Sequence, residues 1–100
     1  MSKLTVTLSK QVLRAPSGIT FDHTDIDVTD AAGIKASQAV NGSESPSWVG
    51  VFQIANEGKG SVVATDKDTA GNPIGSPITV EFDTLAGTFQ ATNGVSVSIE

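Results

Sequence analysis

An antiparallel β-sandwich is the fold class this sequence predicts, and three observations predict it. Apolar residues recur at every second position along most of the chain, the signature of strands that bury one face. Clusters of Gly, Pro, Asn, Asp and Ser interrupt the alternation at roughly 8–12-residue intervals, which gives about seven or eight short strands. No segment carries a 3.6-residue period strong enough to compete. Residues 61–83, SVVATDKDTAGNPIGSPITVEFD, show the pattern best. Two alternating runs, 61–65 and 78–83, flank a turn-rich connection from Asp66 to Pro77.

The segments follow in order. Leu4, Val6 and Leu8 share a face, with Thr5, Thr7 and Ser9 on the other. Ala15-Pro16-Ser17-Gly18 breaks the chain before the next run, in which Ile26 and Val28 interleave with Asp25, Asp27 and Thr29. Asp30-Ala31-Ala32-Gly33 is a tight hairpin signal. Ile34, Ala36 and Val40 then fall on even positions and are expected to line one face. Residues 41–47, NGSESPS, form a polar loop. Asn41-Gly42-Ser43 matches a glycosylation sequon, but it has meaning only in a secreted eukaryotic protein and reads as a turn. Trp48, Phe52 and Ile54 share a face, as do Val62 and Ala64, and then Ile78, Val80 and Phe82. Asn56 to Gly60 is a further loop, Asn93-Gly94 suits a two-residue hairpin, and Val95, Val97 and Ile99 close the series.

One hundred residues make one domain, residues 1–100, long enough for a single core without covalent staples. No cysteine is present, so disulfides and thiolate metal sites are excluded. The net charge is −5, and the six basic residues are scattered, with no stripe to neutralise phosphates. Nucleic acid is therefore not an expected partner. Five aromatic residues and no tyrosine are few for a surface that grips sugars or bases by stacking. MSKLTVTLSK has no continuous apolar run, so it reads as a strand and not a signal peptide, and no stretch is long and apolar enough to suggest a membrane span. Synthesis in a cytoplasm is the expectation, unless the chain is part of a larger secreted protein.

Several motifs then line up. Trp48 opens a strand with Phe52 four residues on, a glycine-bearing loop follows, and then comes V-x-A-T-D-x-x-x-A-G-N, here Val62 to Asn72. Val80-Glu81-Phe82-Asp83-Thr84 ends the unit, and Ile26-Asp27-Val28-Thr29-Asp30-Ala31-Ala32-Gly33 precedes it. Together they resemble the bacterial immunoglobulin-like (Big-type) repeat of surface adhesins and of phage virion proteins, over about residues 19–84. The resemblance implies a non-enzymatic structural module. Adhesin repeats come in tandem, whereas phage proteins of this type are short and dock on a capsid or tail. The expectation is thus a virion accessory protein, a capsid decoration or tail-associated module with protein partners and self-association open. A bacterial surface adhesion or carbohydrate-binding domain is the alternative. Residues 1–10 and 88–100 lie outside the recognised unit and are expected either as docking strands or as extra strands that close the sandwich.

No catalytic constellation stands out. Asp66, Asp68 and Asn72 resemble a fragment of a calcium loop, yet Pro77 occupies the position where an EF-hand would place its bidentate Glu. The bland reading is a turn, capped by Asp and Asn with Gly71 supplying a positive φ. No cofactor is expected. Asp25 and Asp27 share a strand face and are read as charges that discourage edge pairing. His23, the only histidine, reads as a surface polar group. Trp48, Phe52 and Phe82 are expected as core anchors. The competing reading of Trp48 is an exposed hot spot beside the polar loop.

Overall fold

Alternation with one apolar face can bury that face only against a second layer. The computed structural model shows two such layers; it describes residues 2–9, 18–41, 47–92 and 94–100. Nine strands are present among these: β1 (Ser2–Ser9), β2 (Phe21–Thr29), β3 (Lys35–Asn41), β4 (Ser47–Ile54), β5 (Lys59–Asp68), β6 (Pro73–Asp83), β7 (Thr88–Phe89), β8 (Ala91–Thr92) and β9 (Val95–Ile99). One sheet has the order β4-β1-β9-β8 and the other β3-β2-β5-β6-β7, and every pairing is antiparallel. The chain is an antiparallel β-sandwich, with nine strands against the seven or eight expected because residues 88–92 form two very short ones. In the immunoglobulin arrangement the first two strands are sheet neighbours. Here β1 pairs with β4 and β9, and β2 lies in the opposite sheet.

The core is the set of inward positions the alternation marks. Leu4, Val6, Leu8, Ile26, Val28, Val40, Val62, Val80, Val95 and Val97 are buried, together with Phe52 and Phe82 at 4% and 3% exposure. Each fully buried aliphatic side chain contributes about 1.5–3 kcal/mol. Residues 88–92 cross from one sheet to the other at Gln90. Its N–H donates to the Glu81 carbonyl at 3.1 Å, and its Oε1 accepts from the Glu81 N–H at 3.0 Å. That crossing closes one side of the sandwich. The opposite side is a seam between the outer strands β3 and β4, bridged where Gln38 Nε2 donates to the Val51 carbonyl at 3.0 Å.

Two hairpins use the same turn. Asp30 and Asp68 each accept, through Oδ1, the N–H groups two and four residues on (Ala32 and Ile34; Ala70 and Asn72) at 2.9–3.0 Å. Gly33 and Gly71 follow at φ of +80° and +83°, which a side chain would disfavour. The shared Asp-x-Ala-Gly is a three-residue hairpin loop with a left-handed glycine.

Three expectations need correction and a fourth is narrowed. The connection around residue 70 is the three-residue loop 69–71 closed by the Asp68–Asn72 bond, not the whole of 66–77: β5 runs to Asp68 and β6 starts at Pro73. The ladder is interrupted instead by a bulge, with Gly75, Ser76 and Pro77 opposite Thr65, which accommodates the proline's missing donor. Ile34 and Ala36 are exposed, and Val40 alone is buried in β3, because the outer strand lies at the margin of the core and the gap between β3 and β4 leaves these two side chains lining an open cavity. β2 has a partner on each side, so Asp25 and Asp27 guard no edge. Finally, of the two roles expected for residues 1–10 and 88–100, their described parts are extra strands of the sandwich and not free docking arms. β1 is flanked by β4 and β9, and Val95 and Val97 fill the core, so releasing either strand would open the molecule. The expected breaks at residues 15–17 and 42–46 lie outside the described residues, as do Asn93 and the last two positions of the sequon, whose Asn41 ends β3.

Candidate functional site

The suggested calcium ligands are held apart by local bonds. Asp66 lies on β5 opposite the buried Thr24 of β2, whose Oγ1 donates to Asp66 Oδ1 at 2.6 Å. Burial pushes the Asp66 carboxyl above its ordinary value, with the Thr24 hydroxyl pulling the other way. Asp68 is committed to its own turn through Ala70 and Asn72, and Asn72 accepts back through its carbonyl from the Asp68 N–H at 3.0 Å. Among the described residues, no group of three or more His, Asp or Glu side chains converges on a point suited to a metal ion.

The acidic run of β2 is paired along the strand. A bulge at Asp22 turns its carboxylate to His23, Nδ1 to Oδ2 at 2.8 Å, and His23 Nε2 lies 3.2 Å from Asp25 Oδ1. Lys67 Nζ reaches the other oxygen of Asp25 at 3.7 Å. Asp27 accepts from Ser37 Oγ on β3 at 2.5 Å. These groups form a half-exposed charge row on the outer face of the five-stranded sheet.

Trp48 points inward from β4 at the end remote from the chain termini. It is half-buried, and its ring lies over Gly50, in the space a side chain there would fill. Phe52 and Phe82 are in the core proper. Phe82 lies against Gly60 in the same way. An alternation read by eye skips these glycines, yet each makes room for a neighbouring ring.

Sequence reasoning missed the bonds that tie the sheets together near the chain ends. Asp30 Oδ2 accepts from Asn56 Nδ2 at 2.9 Å, joining the β2–β3 turn to the loop after β4. That amide is the main reason the Asp30 carboxyl sits below its ordinary value, opposed by burial and aided by the Ile34 and Ala32 N–H groups. The Glu57 carboxyl is also lowered, first by Thr84 and then by Ser2, whose Oγ donates to it at 2.9 Å. Lys3 and Glu100 exchange both backbone bonds, at 2.9 and 3.1 Å, and their side chains form an ion pair at 2.9 Å. The two ends of the domain therefore lie side by side. A polar residue in a loop gives no sign of a partner fifty positions away, so only Asp30, in its D-x-A-G setting, had a readable local role.

Three surface features remain. The outer face of the four-stranded sheet carries Val49-Thr7-Ser96 and Val51-Thr5-Ser98 as neighbouring cross-strand rows. It is uncharged there, with Val49 and Val51 exposed at 59% and 46%. At the seam, Ile34, Ala36, Phe52 and Ile54 line a shallow cavity of about 120 Å³ between β3 and β4. A larger open cleft of about 250 Å³ lies around Phe89, Lys59, Glu81 and Asp83. No helix of the described chain is long and apolar enough to cross a membrane. Comparison with family models, with curated proteins and with solved structures returned no match.

Proposed function

We propose that this chain is a non-enzymatic structural and interaction module of the β-sandwich kind, serving as an accessory protein of a phage particle, a capsid decoration or tail-associated protein held by other virion proteins. One observation carries the reading. The described carboxylates of Asp30, Glu57, Asp66, Asp68 and Asp83 are spent on turns and ties within the domain, while an uncharged Val/Thr/Ser face is left open on the four-stranded sheet. Such a face suits wet, hydroxyl-mediated contact with another protein, and many copies on a symmetric shell multiply weak contacts into firm attachment.

The adjacency of Lys3 and Glu100 favours this over a surface adhesin domain. Tandem modules strung end to end need their entry and exit at opposite poles, and here both are at one. The test is fractionation of particles produced by a phage encoding this chain. The protein is expected at fixed stoichiometry in purified particles, and the V49K/V51K double variant is expected to be lost from them while melting at the parent temperature. Absence of the parent protein from purified particles would overturn the proposal.

A further inference from the structure

The β3 edge is the part of this molecule built to meet another strand. Outer strands are normally blunted by charge, proline, bulges or brevity. β3 has seven residues, no proline, no bulge and one charge, Lys35, and every residue except Val40 is exposed. Of the other outer strands, β7 in the same sheet and β8 in the opposite one have two residues each, and β4, with eight residues, carries no charge that could fix a register with a second copy. Lys35 forms no ion pair among the described residues, and Ile34 beside it is 62% exposed.

We propose that β3 pairs with β3 of a second copy of this chain, antiparallel about a two-fold axis at Ser37, to make one continuous ten-stranded sheet. Antiparallel pairing of identical strands is inherently two-fold, so the contact closes at two copies. The register at Ser37 is chosen by two matches. It sets Lys35 opposite Ala39 of the partner copy, and in each copy Ala39 is flanked by Asp25 on β2. The ammonium then reaches across a methyl group towards a carboxylate two strands away, about 9.6 Å between backbones, within the span of a lysine and an aspartate side chain. The same register sets Ile34 opposite Val40 on the inward side, covering an apolar side chain the single copy leaves exposed. Both matches occur twice by symmetry. Gln38, which bonds to Val51, faces Ala36 of the partner copy, a residue small enough to leave that bond in place.

This inference is independent of what the Val/Thr/Ser face binds. It is tested by sedimentation velocity on the full chain from micromolar to half-millimolar concentration, with thermal melting as a check on folding. The parent chain is expected to form two-copy particles. K35E, which sets glutamate towards Asp25, is expected to weaken them by about tenfold or more, and K35R to retain them. Raised salt is expected to weaken the parent, since the pairs are exposed. A parent chain that stays single at half-millimolar concentration overturns the proposal. A dimer equally strong in K35E overturns it too, because the contact would then lie elsewhere.

Discussion

Gly50 and Gly60 both occupy inward strand positions where a methyl group would collide with a ring, but they differ in what could yield. At Gly50 the obstacle is the far end of Trp48, a side chain at the margin of the core. At Gly60 it is the Phe82 ring together with the Thr29 carbonyl, which belongs to the β2 backbone. G60A is therefore expected to cost more stability than G50A in urea unfolding, by the overpacking cost of about 1–3 kcal/mol. G50A should instead shift the Trp48 fluorescence as the ring swings outwards. Because that ring is half-buried, W48A should cost about 2–3 kcal/mol, less than the 3–5 of a fully enclosed aromatic. Titration acts at this scale as well. Burial raises Asp66, so its charge costs stability at neutral pH, and that cost is relieved as pH falls through the raised folded value towards the ordinary one. D66N should thus gain on the parent most at pH 7, the gap narrowing on acidification. Asp30 and Glu57 have the opposite sign. Their contribution is complete above the ordinary carboxylate values and is lost as pH falls through the lowered folded ones, so D30A should lower the melting temperature at pH 7 and much less at strongly acid pH.

The strands carry a different lesson. Alternation made the inward sets of β1, β2, β4, β5, β6 and β9 legible, because a period of two assigns faces without reference to any partner. Pairing is not local, and so alternation alone leaves open whether β1 and β9 are docking arms or further strands of the sandwich; they lie together in the middle of the four-stranded sheet. The same blindness made β2 an edge and gave Ile34 a buried face. It also hid the cross-sheet ties Asp30–Asn56 and Ser2–Glu57, which join residues 26 and 55 positions apart. The turn at Asp68 was readable, since D-x-A-G needs only its own four residues. A chain cut to residues 19–84 removes β1 and β9, and with them Leu4, Val6, Leu8, Val95 and Val97 from the core. It is expected to show the circular dichroism of an unfolded chain, where an independent repeat would show β structure.

At the scale of the whole molecule, a sandwich measuring 43 × 23 × 18 Å is held by contacts far apart in sequence, of which β1 with β9 is the extreme case. Such topology places folding in the millisecond-to-second range, measurable by stopped-flow dilution from denaturant. The carboxylates that resembled a calcium loop are occupied by Thr24 and by the Asp68 turn, so millimolar calcium is expected to leave the melting temperature unchanged. A rise would mean that a site forms which binds the folded chain selectively. The neighbouring positions of Lys3 and Glu100 also fix how the domain answers to tension. A pull applied between its two ends would peel β1 from β9 one bond at a time, as a zip opens, where opposite poles would shear all the bonds together. In a force-spectroscopy tether through both ends this domain should yield early, which fits an object gripped by its flanks and not a link in a rope.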